Sequence, residues 1–501
     1  MNLMKLKSGT DIRGVACEGV EGEHVTLTDE AVDTIARAFV KWAVHKTGKN
    51  SLTVAVGRDC RVSGERIAAA VMSTFCECGV TVYDCGLCTT PAMFMTTVLR
   101  HCDAALSITA SHHPFNRNGL KFFLPSGGLS GGDISEILHI AESGDTAVAV
   151  GGGSITAIPF LSEYAAYLRK MICDALGKDE AQQPLSGLKL TVDAGNGAGG
   201  FYASDVLAPL GADVTGSINL EPDGMFPNHI PNPENEYAMQ CACEATVRTH
   251  ADLGIIFDTD VDRAGAVGSD GTEINRNRLV ALASVLALED CPGGTVVTDS
   301  ITSSGLKVFI EQELGGKHHR FRRGYKNVID EAVRLCGEGQ TAPLAIETSG
   351  HAAFRSNYFL DDGAYLITRI VIKLAQLRGE GRTIDQLIGA LKEPAERFEV
   401  RLGITEEDFR PVGERVIGQL EQFAAGIEGW QIADDNREGV RVSDGDSWFL
   451  LRLSVHDPVM PLNFESDSVG GCMKMARMLA EFFATQSGLD TAPIENFVKQ
   501  G

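Results

Sequence analysis

The stretch LTVAVGRDCRVSGERIAAAVMSTFCECGVTVYD, residues 52–84, contains the pattern on which the fold prediction depends. Its first eight residues are mostly apolar and end in a polar turn after Gly57, which predicts a buried strand. Residues 64–78 have a helical pattern, and Gly79 separates them from a second predicted strand at residues 80–84. Because two strands joined through a helix pair in parallel with a right-handed crossover, this stretch predicts one α/β unit.

The same strand–helix–strand pattern occurs twice more along the chain. The second copy has a strand at 188–193, a helix near 201–210 and a strand at 212–215, and the third has a strand at 295–299, a helix near 304–314 and a strand at 319–321. The repetition predicts three related α/β domains, each with a mixed sheet covered by helices.

The last hundred residues have a different pattern. Predicted strands at 398–402, 439–442, 448–453 and 462–466 are followed by an amphipathic helix at 473–483, which together indicate an α+β module. Linkers are expected around residues 151–153, Arg276 and residues 389–394. The predicted domains are therefore 1–153, 154–275, 276–391 and 392–501, a division that suits 501 residues at about 100–200 residues per domain.

Charge and hydropathy limit the classes of partner. The chain has 67 acidic and 44 basic residues and a formal net charge of −23. Such an excess of acidic groups disfavours binding to nucleic acids and to anionic membranes, so we expect small-molecule partners. The N-terminal MNLMKLKSGTDIRG contains no apolar signal segment, and no apolar run approaches the length of about 18 residues that a membrane span requires. We expect a cytoplasmic protein, either a monomer or a homodimer.

Thirteen cysteines are present, and their spacing does not indicate a zinc site. Cys85 and Cys88 form one C-x-x-C pair without a second pair, whereas paired knuckles are typical of structural zinc. In a long chain without a signal peptide, we expect reduced and mostly buried thiols.

The stretch SITASHHPFNRNGLKFF, residues 107–123, contains a candidate nucleophile. Ser111 follows a predicted strand on an exposed edge, His112 and His113 come next, and Lys121 leads the following strand. A serine at such a corner is most often a turn residue. A serine that accepts and donates a phosphoryl group, however, needs a loop position and a nearby proton carrier, which Lys121 or a histidine would supply. Acyl chemistry fits less well because no G-x-S-x-G motif is present.

The stretch LGIIFDTDVDRAG, residues 253–265, predicts a metal site. An apolar strand ends in Asp258, Asp260 and Asp262, and three carboxylates in one short loop repel each other unless a cation screens them. Oxygen ligands suit a hard divalent ion. An EF-hand is excluded because its twelfth position is Ser269 rather than Glu, and because an arginine occupies the position of its turn glycine.

A dinucleotide site is an alternative interpretation of another loop. Gly195, Gly197 and Gly200 satisfy G-x-G-x-x-G between a predicted strand and a predicted helix. However, Asp193 at the strand end would repel a pyrophosphate, and Glu221 is poorly placed to bind a ribose. A tight turn that opens a helix is the favoured interpretation.

Two further loops have residue types that suit a phosphorylated sugar. Arg320, Arg322, Arg323 and Lys326 form the densest basic cluster of an acidic chain, and such a cluster attracts a dianionic phosphate. Downstream, AIETSGH ends a predicted strand in three residues able to hydrogen-bond adjacent sugar hydroxyls, namely Glu347, Ser349 and His351.

These motifs resemble those of the α-D-phosphohexomutases, the phosphoglucomutase/phosphomannomutase family. TASHHP followed by NGLKFF resembles the family's active-site serine loop, DTDVDR its metal loop, RRGYKNV and AIETSGH its third-domain loops, and LLRLSVHDPVM its phosphate loop. The resemblance covers all four predicted domains and implies a heart-shaped arrangement with a central cleft. It implies an intramolecular phosphotransferase that interconverts hexose 1-phosphate and hexose 6-phosphate, of mannose or glucose, through a phosphoserine and a hexose 1,6-bisphosphate.

The resemblance also implies a role for each candidate residue. Ser111 would carry the phosphoryl group, with Arg13 beside it and with Lys121 as general base or acid in competition with His112. One Mg²⁺ would be bound by the phosphoserine and by Asp258, Asp260 and Asp262, and the hexose 1,6-bisphosphate would act as activator. Asp59 and Arg61 would brace the serine loop. The implied substrate-binding residues are Arg263, Lys326, Glu347, Ser349, His351, Arg452, Ser454 and His456.

Four positions depart from the family's pattern: His113 replaces an asparagine, Thr259 replaces a glycine, and Val455 with His456 alters the phosphate loop. Three alternatives to the mannose or glucose phosphate assignment remain. They are a phosphoglucosamine mutase of the same family, an NAD-dependent dehydrogenase, and a non-catalytic sugar-phosphate-binding protein.

Overall fold

The computed structural model describes residues 2–146, 151–454 and 457–500. The chain forms two compact units, each assembled from two segments of sequence. The first comprises the chain up to Ala287 together with Ser349–Ile388, and the second comprises Leu288–Thr348 together with the chain from Gly389 onward. The predicted third domain is thus divided between the units, and the four predicted domain boundaries stay predictions.

The N-terminal sheet of the first unit is mixed. Its strands are β1 (Lys7–Ser8), β2 (Asp11–Val15), β3 (Thr53–Arg58), β4 (Thr81–Leu87), β5 (Ala104–Ile108), β6 (Arg117–Leu124), β7 (Gly127–Gly128) and β8 (Ser154–Ala157). The order is β1-β2-β6-β5-β3-β4-β8, with β7 beside β6. Strands β5, β3, β4 and β8 are parallel, as the crossover pattern predicts, and β6 and β2 are antiparallel.

Helices cover both faces of this sheet. They are α1 (Asp29–Thr47), α2 (Gly64–Glu77), α3 (Thr90–Leu99), α4 (Gly131–Ser143) and α5 (Phe160–Leu176). Val54 and Val56 of β3 join a core with α1, α2 and α4. Because side chains alternate along a strand, Gly57 faces the opposite side, where a Cβ would lie only 2.4 Å from Sδ of Met93 on α3. Glycine therefore allows α3 to pack closely against the sheet.

A smaller sheet follows in the same unit. Its elements are β9 (Leu190–Asp193), α6 (Glu236–Thr249), β10 (Leu253–Phe257), β11 (Ala264–Gly268), β12 (Glu273–Ile274) and α7 (Asn277–Asp290). The strand order is β12-β11-β10-β9, and β9 is parallel to β10. The burial of all five residues of β10 fits the apolar pattern that precedes the three aspartates.

One prediction for this region is wrong, and a second is confirmed in position but not in helix type. The predicted strand at 212–215 is a single bridge between Lys189 and Asp213, because the Asp213 carboxylate accepts a hydrogen bond from the Thr215 N–H at 2.9 Å and turns the chain. The predicted helix near 201–210 is present as a π-helix over Tyr202–Leu207 and a 3₁₀ turn over Ala208–Leu210. Pro209 lacks the N–H that a continuing helix would need.

The third strand–helix–strand pattern is confirmed in the second unit. Strands β13 (Thr295–Thr298), β14 (Lys317–Arg320) and β15 (Leu344–Ile346) are joined through α8 (Ser304–Val308) and α9 (Tyr325–Gly337). Both pairings of β13 are parallel. The chain then returns to the first unit and forms the antiparallel pair β16 (Ala352–Phe354) and β17 (Leu360–Asp361), followed by α10 (Gly363–Gly379).

The C-terminal part of the second unit confirms the α+β prediction. Its strands are β18 (Glu396–Ile404), β19 (Gln431–Ile432), β20 (Val440–Ser443), β21 (Ser447–Leu451), β22 (Val459–Ser466) and β23 (Leu489–Asp490), and its helices are α11 (Phe409–Ala425), α12 (Gly471–Phe483) and α13 (Ala492–Gln500). The strands form one antiparallel sheet in the order β19-β20-β21-β22-β18-β23. One core joins this sheet to its helices.

All thirteen cysteines are free, as expected, but only six are buried and seven are partly exposed. Within the described residues, none of the helices combines the length and the apolar character that crossing a membrane would require.

Candidate active site

Ser111 lies three residues beyond the end of β5, in what we call the serine loop, residues 109–117. Its φ of 51° is in the left-handed region, which a non-glycine residue adopts at a cost of about 1–3 kcal/mol. The Ser111 N–H donates to Oγ1 of Thr109 at 2.9 Å, which helps to fix this conformation. The residue is only 4% exposed, so the expected position on an exposed edge is corrected to a buried one.

Arg61 holds the serine loop by hydrogen bonds to its backbone. Its buried guanidinium donates to the carbonyl oxygens of Pro114 (2.6 Å), Arg117 (3.0 Å) and His113 (2.6 Å), and also to that of Ser111. One side chain thereby donates to four carbonyl oxygens of the loop. Arg61 therefore fixes the loop through its backbone, whereas the Ser111 hydroxyl bonds to other residues.

Asp59 completes this support. It pairs with Nε of Arg61 at 3.2 Å, and it accepts hydrogen bonds from the Arg61 N–H at 2.9 Å and from Oγ1 of Thr109 at 2.7 Å. Burial raises the pKa of Asp59, and the neighbouring guanidinium opposes that shift. The contacts of both residues are those of a brace, which is the role that the resemblance implied.

The three aspartates of the predicted metal loop are fully buried and lie beside Ser111. Val261, within this loop, has a φ of 67°, which is a strained value for a β-branched residue. Each carboxylate accepts a hydrogen bond from a side chain of the N-terminal sheet domain: Asp258 from Oγ of Ser111 (2.9 Å), Asp260 from Oγ1 of Thr90 (2.5 Å) and Asp262 from Nζ of Lys121 (2.6 Å).

The donor set fits a hard divalent cation. One oxygen from each aspartate lies within 4.8 Å of the others. Among the residues that the structure describes, the buried Oδ1 atoms of Asp260 and Asp262 have no hydrogen-bond partner, and buried polar atoms without partners are rare unless an ion or water satisfies them. Burial raises the pKa of Asp258 well above its usual value, and the neighbouring Asp262 and Asp260 raise it further. A cation would stabilise all three charges together.

Lys121 and His351 act on Asp262. Burial would raise the pKa of Asp262, but Lys121, His351 and Arg263 outweigh burial and lower it. Nδ1 of His351 lies 2.6 Å from Asp361 and 3.9 Å from Asp262. Although burial opposes protonation, these two carboxylates raise the pKa of His351 to about 9.

The loop that carries His351 is closely packed against the metal loop. Arg263 and His351 form an antiparallel bridge, and the preceding Ser349 is buried. Gly350 has a φ of 96°, and a Cβ there would lie 2.6 Å from the carbonyl oxygen of Ala264. Only glycine fits this approach.

Arg263 connects the nucleophile to the metal loop. Its guanidinium donates to Oγ of Ser111 at 3.1 Å, to Oδ2 of Asp258 at 3.1 Å and to Nδ1 of His112 at 2.5 Å. Burial, and then the charge of Arg263, lower the pKa of His112 to about 2, and burial with Arg13 lowers that of His113 to about 4. Both imidazoles are therefore neutral at neutral pH.

Arg13 lies on β2, opposite Gly119 of β6, and pairs with Asp11 at 2.8 Å. Its charge contributes to the lowered pKa values of His112 and His113, so it belongs to the surroundings of the serine loop.

In the second unit, the predicted basic cluster is dispersed. Arg320 is buried and donates to Ser303 O at 2.9 Å, and Arg322 stacks on Phe321. Arg323 lies 3.6 Å from Asp299, and Lys326 pairs with Asp330. Side chains close in sequence point to different sides because a strand ends and a helix begins within the segment, so the four charges do not converge on one point.

Glu347 and Arg452 belong to this second unit. Glu347 accepts the Gly324 N–H at 2.6 Å, whereas Ser349 and His351 belong to the first unit. Arg452 is buried, and among the described residues its Nε has no hydrogen-bond partner. Burial, and then the positive charge of Arg323, lower the pKa of Arg452.

The phosphate loop is only partly described. Oγ of Ser454 accepts the Asp457 N–H at 3.3 Å. The altered positions Val455 and His456 lie outside the described residues.

Sequence reasoning missed two functional candidates. Thr90 in TTPAMF had a helix-start signal, since Thr89 caps α3, but nothing in the sequence indicated its bond to Asp260. Arg441 is buried against Trp448 at 3.6 Å from the ring centre and donates to Ser300 O at 2.8 Å.

Comparisons with known proteins agree on one family. Residues 5–147, 162–271 and 275–394 match the family models described as phosphoglucomutase/phosphomannomutase, alpha/beta/alpha domains I, II and III. The phosphoglucomutase of Neisseria gonorrhoeae is 30% identical over 91% of this chain and 92% of its own length. The phosphomannomutase/phosphoglucomutase of Pseudomonas aeruginosa is 30% identical over 91% of each chain.

Two further matches extend the comparison. A phosphoglucosamine mutase of Symbiobacterium thermophilum is 28% identical over 95% of this chain and 98% of its own. Among solved structures, a phosphoglucomutase/phosphomannomutase family protein of Burkholderia thailandensis has a TM-score of 0.80, with 26% identity over 98% of this chain and 99% of that one.

Proposed function

Because the chain belongs to the phosphoglucomutase/phosphomannomutase family, we propose that it interconverts the 1-phosphate and 6-phosphate of a hexose, mannose or glucose, in the cytoplasm. It is then an isomerase of the intramolecular phosphotransferase type. The observation that carries the proposal is the hydrogen bond of 2.9 Å between the Ser111 hydroxyl and Asp258, beside two further buried aspartates. A nucleophile and an anionic cation site within hydrogen-bond distance suit phosphoryl transfer.

The fit of the three aspartates to a cation supports Mg²⁺ as cofactor, with Ser111 completing the ligand set when phosphorylated. Asp258, Asp260 and Asp262 would hold the ion, and bound Mg²⁺ neutralises charge on a phosphoryl group in transfer. The hexose 1,6-bisphosphate is proposed as intermediate and activator.

In the proposed cycle, phosphoserine 111 donates its phosphoryl group to the free hydroxyl of a hexose monophosphate. The bond between phosphorus and Oγ breaks as a bond to the sugar oxygen forms, so negative charge develops on Oγ. Arg263 donates to that atom at 3.1 Å and would stabilise this charge. The bisphosphate, turned end for end, returns its other phosphoryl group to Ser111, which regenerates the enzyme.

The sugar hydroxyl must release a proton when it attacks, and we assign that proton to Lys121, with His112 as competitor. Nδ1 of His112 already accepts a hydrogen bond from Arg263, which leaves that nitrogen without a free lone pair. Nζ of Lys121 lies 2.6 Å from the carboxylate of Asp262, which holds the amine at a fixed position in the site.

Substrate recognition is assigned to the remaining candidates by the family resemblance. Arg452 and Ser454 would bind the non-reacting phosphate, and the chemistry of buried Arg452 near Arg323 supports this role. The residues that would also contact the substrate are Arg13, Arg263 and Lys326. The sugar hydroxyls would be bound by Glu347, Ser349 and His351. His456 is proposed as a substrate-binding residue from the sequence alone.

Glucosamine phosphate is a second candidate substrate. The phosphoglucosamine mutase that matches 95% of this chain favours it. The E-x-S-G-H form of residues 347–351 is compatible with either sugar.

A coupled assay with mannose, glucose and glucosamine 1-phosphates, primed with the matching bisphosphate and Mg²⁺, tests the proposal. We expect turnover of at least one substrate, and we expect Ser111→Ala to abolish it. The matched control is Ser284→Ala, which changes a buried serine of α7 whose hydroxyl donates to Val280 O at 2.7 Å within the same helix. Substantial turnover by Ser111→Ala would remove Ser111 as phosphoryl carrier.

The other function classes give different results in the same experiment. Binding of sugar phosphates without interconversion would indicate a non-catalytic protein. Saturable quenching of NADH fluorescence would indicate the dehydrogenase.

A further inference from the structure

Thr90 makes two bonds to one of the aspartates that would hold the metal. Its hydroxyl donates to Oδ2 of Asp260 at 2.5 Å, and its N–H donates to the Asp260 carbonyl oxygen at 2.9 Å. Both residues are buried. Thr90 is the first residue of α3, where N–H groups have no partner within the helix and are available to another segment. The side chain and the backbone of Asp260 are therefore both fixed by one residue.

The hydrogen bond to Asp260 also sets the direction of a second one, between Thr90 and a neighbouring hydroxyl. Oγ of Ser107 lies 2.9 Å from Oγ1 of Thr90. A threonine hydroxyl has one proton, and Thr90 donates it to Asp260, so Ser107 must be the donor to Thr90. The result is a directed chain from Ser107 through Thr90 to Asp260. Ser107 lies on β5, the strand that leads to Ser111, so this chain joins the nucleophile's strand to the metal loop.

This chain of hydrogen bonds engages one carboxylate oxygen of Asp260 and leaves the other available. Oδ2 is bonded to Thr90, whereas Oδ1 is buried and has no hydrogen-bond partner in the described part of the chain. A carboxylate that is held by one oxygen presents the other in a fixed direction, as partners of metal ligands commonly do. We propose that Thr90 is a positioning residue of the metal centre, which orients Asp260 so that Oδ1 is available to the divalent cation. This inference rests on the proposed function, because it requires that the three aspartates bind a metal.

Titration of the full chain with Mn²⁺, followed by the electron paramagnetic resonance signal of free Mn²⁺, tests the proposal without reference to activity. Thr90→Val keeps the shape of the side chain but removes the hydroxyl, and we expect its Mn²⁺ dissociation constant to rise about tenfold. Thr90→Ser keeps the hydroxyl and is expected to bind Mn²⁺ within about twofold of the wild type. Ser107→Ala, which removes only the donor to Thr90, is expected to weaken Mn²⁺ binding less than Thr90→Val does.

A positioning role also predicts a specific kinetic pattern. Saturating Mn²⁺ should restore most of the turnover of Thr90→Val, whereas loss of folded protein would not be restored. Thermal unfolding of each variant provides that check. Mn²⁺ binding by Thr90→Val that equals the wild type overturns the role of Thr90 alone, as does an equal loss in Thr90→Ser. Absence of Mn²⁺ binding in the wild type overturns the metal centre itself, and with it the role of Thr90.

Discussion

Replacing Arg61 by methionine is expected to loosen the serine loop without altering the aspartates of the metal loop. Methionine keeps an unbranched apolar side chain but donates no hydrogen bonds. Four carbonyl oxygens of the serine loop lose their charged donor, and Asp59 loses its ion-pair partner at 3.2 Å while it stays buried. The substitution therefore removes one partner of a buried ion pair and leaves the charge of Asp59 uncompensated.

The magnitude follows from that asymmetry. Removal of one partner of a buried ion pair costs about 3–5 kcal/mol, because the remaining charge is left in a poorly solvated position. At about 1.4 kcal/mol per factor of ten, the equilibrium constant for opening of the loop should rise by roughly two to three and a half powers of ten. Asp59→Asn combined with Arg61→Met removes the charge as well, so the double variant should recover about 2 kcal/mol of that loss.

Amide hydrogen exchange measured by mass spectrometry is the suitable assay, because it reports the opening of one segment. Peptides that cover residues 109–117 should exchange faster in Arg61→Met, while peptides from the C-terminal sheet serve as an internal reference. Arg382→Met is the matched control, since Arg382 is 48% exposed in its side chain and pairs with Glu380 at the surface. Loss of such an exposed pair costs about 0–1 kcal/mol.

Two results would refute this reasoning. Unchanged exchange of the serine loop in Arg61→Met would show that the four carbonyl bonds do not hold it. A double variant that opens as readily as Arg61→Met would show that the unpaired Asp59 charge is not the source of the cost.

Three further expectations concern the metal, the packing and the pH dependence. Chelation with EDTA should abolish interconversion and added Mg²⁺ should restore it, with a higher Mg²⁺ requirement in Asp262→Asn; turnover that survives chelation contradicts the metal centre. Gly119→Ala should lower the melting temperature in calorimetry, because a Cβ would lie 2.6 Å from Ile12 O and 2.7 Å from Thr109 O, and such overpacking costs about 1–3 kcal/mol. The control Gly337→Ala, whose Cβ would have nothing within 4 Å, should leave the melting temperature unchanged. Burial opposes protonation of His229, but Asp193 outweighs it and raises the pKa of His229. The resulting stabilisation of the folded protein is present below the unfolded pKa of about 6.5 and is lost as the pH rises through the folded pKa of His229. The urea-unfolding free energy should therefore fall with rising pH less steeply in His229→Gln than in the wild type. Equal slopes for the two proteins would contradict this expectation.

The crossover units could be predicted because hydrophobic alternation is a local property of the sequence. Residues 52–84 gave the strand–helix–strand order that the structure has, with β3, α2 and β4 close to the predicted bounds. The strand predicted at 212–215 was wrong because one side-chain bond, from the Thr215 N–H to Asp213, turned the backbone after a single bridge. Side-chain bonds of this kind compete with strand pairing and are not visible in a hydropathy pattern.

The candidate site was predictable where its chemistry is concentrated in one loop. Three aspartates at alternate positions indicated a cation, and the structure brings them to Ser111, although their roles stay predictions. The supports of the site were not predictable to the same degree, because the partners are distant in sequence. Thr90 and Asp260 are 170 positions apart, and no local pattern connects a helix-start threonine with an acidic loop.

The separation of 147 positions between Ser111 and Asp258 has a consequence for biosynthesis. The first α/β domain is synthesised well before the loop of three aspartates leaves the ribosome. A nascent or truncated polypeptide therefore contains the Ser111 hydroxyl without the three carboxylates that would bind the cation. Domains generally fold as units in the order of their synthesis. We therefore expect fragments that end before Asp258 to lack the proposed cation site and to transfer no phosphoryl group.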